Sequence, residues 1–348
     1  EMAEALAEWE ALLGKGTEIR IADEDLMHCY RACIADLFVM REPIGEYKGI
    51  SCGTRFYRSA NSGESLESTV LLETVGYGEE MLSDYPMYWS GQDKDGCWVT
   101  GKGWEHEVWA LIFNKTNSIM EHYYITRDIA FLEKQYQRMY ASAVFNYNAR
   151  NSTKSSAIPS ESGLMPRGKG DCGMMNNGDY YGVFYPHNCL AVAADGQVLE
   201  AAKILGKTED IAFLTRAYEE AKAALLTSIK ENTIEIDGYR VIPPIAHAPI
   251  TSMYGCLYSV FPGNLISGED PIVTDTVRYL ENKKVSEGGL PIGMGWMKEG
   301  LWVAMALSNV ARAYLRMGMY EEARKYLDLD VAAVFIDPFI GKRAENTN

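Results

Sequence analysis

No run of about 20 consecutive apolar residues occurs in the chain, so a membrane-spanning helix is excluded. Basic residues are scarce: 33 Lys and Arg stand against 48 Asp and Glu, a formal charge of −15. A polyanion such as DNA or RNA is repelled by that balance, and no local Lys/Arg stripe reverses it. Cysteine is sparse too, with seven thiols, an odd number, and not one CxxC pair. That usage suits a reducing compartment, so a cytoplasmic location is favoured over a periplasmic one. Cys29 and Cys33, four apart on one helical face, read as buried thiols. The five histidines (28, 106, 122, 187 and 247) are scattered, with neither HExxH nor HxxEH spacing, and no metal site is expected. Neither a GxGxxG or P-loop phosphate cradle nor a GxSxG elbow is present, and no cofactor is expected.

What remains is aromatic and ordinary in polarity. Hydrophobic residues make up 47% and charged residues 23%, with 22 Tyr, 10 Phe and 7 Trp, a composition that excludes disorder and fits a soluble globular enzyme. The length of 348 residues would suit two average domains, but the hydrophobic pattern argues for one. Over 208–232, Ile211, Leu214, Tyr218, Ala221, Leu225 and Ile229 form a stripe at helical spacing. Thr208 is expected to cap that helix, with Glu209 and Asp210 favourable beside its N-terminal dipole. Over 128–147, Ile129, Leu132, Tyr136, Met139, Ala143 and Tyr147 repeat the stripe. Other helical stretches, 109–113, 189–194 and 301–317, are apolar on nearly every face and must be enclosed on all sides.

Enclosed and amphipathic helices alternate, joined by short turns and then by long loops at 41–60, 92–103, 149–187, 232–251 and 283–299. The unit recurs near 61–91, 104–148, 188–231, 252–282 and 300–328, and a helix at 24–40 adds one more element. Helical hairpins repeated about an axis, enclosed helices inside and amphipathic ones outside, form an all-α (α/α)6 toroid. Its long loops emerge on one face, above the N-termini of the inner helices, and that face is the natural site. A linear solenoid would require more regular repeats and loops of similar size. The expected organisation is an N-terminal linker or first helix at 1–23, the barrel at 24–330 and a tail at 331–348. Residues 2–13 supply a twelfth helix or belong to a linker from an additional preceding domain, which would leave the toroid one helix short.

Several segments resemble the six-hairpin glycosidases, especially the catalytic barrels of bacterial α-L-rhamnosidases. Phe56-Tyr57-Arg58 opens an inner helix, and Gln92-Asp93-Lys94-Asp95-Gly96-Cys97-Trp98 is similar to a Q-x-x-D-G-x-W loop. Trp104-Glu105 follows, then His122-Tyr123-Tyr124-Ile125-Thr126-Arg127-Asp128, similar to E-H-Y-x-x-T-G-D. Gly163-Leu164-Met165-Pro166 leads to Asp171, and Tyr185-Pro186-His187-Asn188 resembles Y-P-D-N. Gly289-Leu290-Pro291 precedes Trp296 and Gly300-Leu301-Trp302. Ser59 and His187 stand where the family usually carries Asp, and each removes a carboxylate from the loop face. The resemblance implies a toroid that acts on carbohydrate.

Glycoside cleavage requires two carboxyl groups, one protonated to assist the leaving oxygen and one ionised to activate water or attack carbon. Asp171, flanked by Gly170 and Cys172 and close to Met174 and Met175, suits an acid whose pKa is raised by poor hydration, and the resemblance implies the same loop. Asp179 is its alternative. Glu105, at an inner-helix N-terminus, reads as base or sugar-hydroxyl ligand, and Glu299, three residues after Trp296, as a second candidate base. Trp104, Trp296, Tyr57 and Tyr185 offer rings for the apolar faces of a sugar, with His187 beside them. Arg55, Arg58 and Arg167 are the loop-face cations that an anionic sugar would need. The expected function is a glycoside hydrolase of the exo type. The rivals are an unsaturated-uronyl hydrolase or sugar phosphorylase on the same toroid, and a non-catalytic toroid that binds glycan or protein.

Overall fold

A computed structural model describes residues 2–53, 58–99, 105–170, 181–245, 253, 255–283, 301–302, 306–337, 342–343 and 346–347, with side chains described up to 283 and over 309–328. Helices dominate. They are α1 (Met2–Leu13), α2 (Glu24–Val39), α3 (Glu64–Leu72), the short α4 (Gly78–Met81) and α5 (Tyr85–Trp89), α6 (Leu111–Thr126), α7 (Ile129–Thr153), α8 (Tyr185–Ile204), α9 (Thr208–Glu231), α10 (Pro271–Lys283), α11 (Arg312–Arg316) and α12 (Tyr320–Val334). A wider helical turn, Ala306–Ala311, leads into α11.

The two expected helix kinds are both present. Along α8 the buried residues run from Tyr185 to Ala202 on almost every face, so it is an enclosed inner helix. The amphipathic α9 buries only one stripe, Leu214, Ala217, Ala221, Leu225 and Ile229, and α7 buries Leu132, Tyr136, Met139 and Ala143. Neighbouring inner helices pack side by side, α3 on α6 and α6 on α8, while α7 and α9 cover them from outside. The ring continues through 255–263: Gly255 approaches Pro186 so closely that a Cβ there would lie 2.6 Å from its ring, and Gly255 N–H donates to Asn309 Oδ1 at 2.7 Å. The architecture is an α/α toroid.

Local chemistry sets the helix boundaries. Asp128 caps α7 through Phe131 N–H at 2.9 Å, and Arg127 ends α6 in the left-handed conformation. Thr208 does not cap α9. It is the first helical residue, and Lys207 occupies the N-cap, its carbonyl accepting the Ile211 N–H at 3.2 Å. The first half of the hairpin expected near 252–282 is, over 255–263, a series of turns. Bonds such as Tyr258 N–H to Gly255 O and Val260 N–H to Leu257 O span three residues, not four, between Gly255 at φ +65° and the Pro262-Gly263 break. The outer partner of α3 is split into α4 and α5 beyond the kink at Gly76, where φ is +101°. Cys29 is buried but Cys33 is exposed, so the pair does not share a buried face.

The long loops carry short antiparallel hairpins: β1 (Arg41–Ile44) with β2 (Tyr47–Ile50), β3 (Gly168–Lys169) with β4 (Tyr181–Gly182), and β5 (Ile234–Ile236) with β6 (Tyr239–Val241). α1 buries none of its residues and docks by its C-terminal end, where Tyr77 OH donates to Leu13 O at 2.9 Å and Lys15 pairs with Glu80.

Candidate active site

The N-terminus of α3 follows Gly63, which has no side chain to cap it. Asn61 substitutes, its Oδ1 accepting from Gly63 N–H at 2.8 Å and Ser65 N–H at 3.4 Å. Ser62, itself buried, turns to Glu105. Its N–H donates to Oε1 at 2.7 Å and its Oγ to Oε2 at 2.9 Å, so each oxygen of the carboxylate is held by one bond. The sequence places Glu105 at the start of an inner helix. α6 begins only at Leu111, however, and Glu105 lies in the preceding turn, at the N-terminal dipole of α3. Asn114 ties α6 to the same point by donating to Ser62 O at 3.0 Å.

Two further groups support this corner. Lys115 is buried, and its ammonium donates to Tyr88 O at 2.8 Å. Burial pushes its pKa down to about 8, opposed by the negative charge of Glu105. Cys52 accepts from Asn61 Nδ2 at 2.7 Å and sits 3.2 Å from Ser65 Oγ, and burial raises its pKa above the ordinary thiol value.

The turn that carries Glu105 also anchors the hairpin that carries the candidate acid. Glu107 adopts the left-handed conformation, φ +61°, uncommon for a residue with a side chain. Its N–H donates to Val99 O at 2.9 Å and its carbonyl accepts from Lys169 N–H at 3.1 Å. Gly168 passes so close that a Cβ would lie 2.4 Å from Glu107 O and 2.4 Å from the indole nitrogen of Trp109. That nitrogen donates to Pro166 O at 2.8 Å. β3 and β4 therefore rest on residues 107–109, next to Glu105.

α8 opens on the same face. Tyr185 N–H donates to Pro244 O at 2.9 Å, and Phe184 bridges to Ile245. Asn188 Oδ1 accepts from Met165 N–H at 2.8 Å and fixes the foot of the long loop. Tyr185 turns away from the mouth: its buried hydroxyl donates to Ser228 O at 3.0 Å on α9, so the structure uses it for packing.

His187 is buried at 1% exposure, its ring 5.5 Å from that of Phe184, and neither ring nitrogen has a hydrogen-bond partner among the described residues. Burial pushes its pKa down to about 3, so the ring is neutral at physiological pH. A base with a lowered folded-state pKa supports stability above the unfolded value of 6.5 and loses that support as pH falls toward 3. His187→Gln, which does not titrate, is therefore expected to resist acid better: between pH 6.5 and 5 the wild type loses about 2 kcal/mol more unfolding free energy than the variant. Parallel denaturant profiles across that range would count against a neutral, desolvated His187.

Arg58 donates to Glu42 Oε2 at 2.6 Å and Arg167 to Glu161 Oε1 at 2.7 Å, so two of the three expected cations are already paired; Arg55 lies outside the described residues. Trp89 and Trp98 are core residues, their indoles donating to Ser118 Oγ and Trp89 O. Among the described candidates, Glu105 lies at the N-terminus of α3 and His187 in the first turn of α8, two inner helices with α6 between them. Asp171, Asp179, Glu299, Trp104, Tyr57 and Trp296 lie outside the described residues. Sequence reasoning does not single out Glu107, Lys115 or Ser62. A left-handed glutamate and a lysine on an otherwise greasy helix have no local signature that marks a site.

No family model matches the chain, and no curated protein does. Solved structures do match. The chain is similar to a GH63 mannosylglycerate hydrolase from Thermus thermophilus in complex with Tris, with 12% identity and a TM-score of 0.59 over 91% of this chain and 96% of that one. The same hydrolase with Tris and D-glycerate gives the same figures, 12% and 0.59 over 91% and 96%. An uncharacterized conserved protein from the same organism follows at 13% identity and TM-score 0.52, over 79% of this chain and 86% of that one. At such identities the likeness establishes the fold, an (α/α)6 toroid.

Proposed function

We propose that the protein is a glycoside hydrolase of the exo type. The observation that carries this reading is the Glu105 corner: a carboxylate fixed by Ser62 at an inner-helix N-terminus, next to the hairpin that bears Asp171, on a toroid similar to a GH63 hydrolase. With one lone pair on each oxygen occupied by Ser62, Glu105 retains acceptor capacity for sugar hydroxyls. Asp171 is then the general acid, with Asp179 as its alternative, and Glu299 activates water or attacks the anomeric carbon. Trp104, Tyr57 and Trp296 stack on the sugar ring.

The paired state of Arg58 and Arg167 favours a neutral sugar over a uronate. Resemblance to hydrolases favours water over phosphate as the acceptor. Incubating the wild type with aryl glycosides of neutral sugars and of uronates, each with and without inorganic phosphate, tests the reading. Phosphate-independent release of a neutral monosaccharide is expected. Release only with phosphate would assign a phosphorylase, and release only from uronates a uronyl hydrolase. No release from any glycoside would remove the enzymatic reading.

A further inference from the structure

We infer that Asn114 is a positioning residue for the Glu105 carboxylate: by holding the Ser62 carbonyl, it aims the hydroxyl and N–H that grip Glu105. Its effect on turnover rests on the hydrolase reading; its hold on Ser62 does not.

Ser62 is only 3% exposed, so its carbonyl needs a hydrogen-bond partner. The backbone at the start of α3 does not supply one. Asn61 O accepts from Leu66 N–H at 3.2 Å and Gly63 O from Glu67 N–H at 3.0 Å, and the carbonyl between them is passed over. Asn114 Nδ2 serves it at 3.0 Å and reaches Glu67 Oε1 at 3.3 Å with its second hydrogen. A carbonyl and a carboxylate both accept, so the amide must turn its nitrogen to them. Among side chains of this size only asparagine brings two such donors; an ionised aspartate has none, and leucine has none. Asparagine is also a poor helix former, and it follows the buried Leu111, Ile112 and Phe113 in the first turns of α6. The two bonds account for its place there better than helix propensity or packing does.

The residues close a circuit. From Glu105 the chain reaches α6 through short turns, Val108 N–H to Glu105 O at 3.1 Å and Leu111 N–H to Val108 O at 3.1 Å. Asn114 then crosses from α6 to Ser62, and Ser62 returns to Glu105 through its N–H at 2.7 Å and its Oγ at 2.9 Å. Any residue could make the backbone turns, but the crossing requires the Asn114 side chain. Without it, residues 61–63 are free to shift against α6, and both donors on Ser62 shift with them. A misplacement of about 1 Å in a site can cost on the order of a hundredfold in rate.

Two variants of similar shape test the crossing. Asn114→Leu removes both donors, and Asn114→Asp replaces them with an acceptor. Hydrogen exchange at the Ser62 amide reads the grip on Glu105. Exchange along the buried stripe of α9, from Leu214 to Ile229, reads the barrel as a whole. The value of kcat/KM on the best aryl glycoside reads the consequence. In both variants Ser62 exchange is expected to speed at least tenfold with α9 unchanged, and kcat/KM to fall about ten- to a hundredfold. In a Glu105→Ala background, Asn114→Leu should lower kcat/KM no further, because it acts through Glu105. Wild-type exchange at Ser62 in both variants would overturn the inference. Equal speeding at Ser62 and in α9 would also overturn it, by assigning Asn114 to general packing, and so would losses that add in the double variant. Exchange loosened at Ser62 alone, in a protein whose wild type cleaves no glycoside, would uphold the hold on Ser62 and remove the hydrolase reading alone.

Discussion

Asp171→Asn is expected to lower kcat for an alkyl glycoside by about a hundred- to ten-thousandfold, with little change in KM. An alkoxide is a poor leaving group, so its departure depends on a proton delivered in the transition state, and an amide cannot deliver one. A nitrophenolate leaves with little assistance, so the same variant should cleave a nitrophenyl glycoside with a much smaller deficit. Glu299→Gln should behave differently. Activation of water or attack on carbon is required for every leaving group, so its loss should be similar on both substrates. Unchanged turnover in both variants would remove these assignments. If only Asp179→Asn shows the dependence on leaving group, the acid role passes to Asp179.

The second large effect concerns stability. Between α7 and α8, the guanidinium of Arg150 donates to Asp195 Oδ2, and Asn146 Nδ2 donates to Asp195 Oδ1 at 2.8 Å. Both charged side chains are buried, at 5% and 3% exposure. Burial raises the pKa of Asp195, and Arg150 and Asn146 oppose that rise. The pair joins an outer helix to an inner one, so it couples the two layers of the toroid. Asp195→Ala leaves the guanidinium buried without a counter-charge and is expected to cost about 3–5 kcal/mol in denaturant unfolding. The double change Arg150→Met with Asp195→Leu should restore most of that loss, because uncharged side chains of similar volume carry no desolvation penalty. A cost below about 1 kcal/mol for Asp195→Ala would mean that the pair is open to water.

Much of the fold is legible in the sequence because burial leaves a periodic trace. Leu214, Ala221, Leu225 and Ile229 read as the inward stripe of α9, and all four are buried. The uninterrupted apolar run in α8 marks an enclosed helix for the same reason. The β5–β6 hairpin also leaves a trace, since Asp237-Gly238, both at positive φ, is a strong two-residue turn signal. Less legible are features that depend on contacts far apart in sequence. The turns at 255–263 replace an apolar helix because Gly255 must pass close to Pro186. Glu105 does stand on the loop face, but the dipole it meets is not that of the helix that follows it. That dipole belongs to α3, more than forty residues earlier, and is reached through Ser62. Tyr185 has the character of a sugar platform, yet its position in the first turn of α8 faces Ser228 of the outer layer. The left-handed turn at Glu107 has no trace in its own sequence, because its backbone partners come from Val99 and Lys169.

The most direct test of the account is the separation of the candidate carboxyl groups in a crystal structure with a neutral monosaccharide bound at the loop face. Asp171 and Glu299 are expected to face each other across the sugar. About 5–5.5 Å between them would indicate a retaining hydrolase, and about 6.5–9.5 Å an inverting one. A sugar held with no pair among Glu105, Asp171, Asp179 and Glu299 within that range, or no shared cavity between them, would contradict a hydrolase and leave a toroid that only binds.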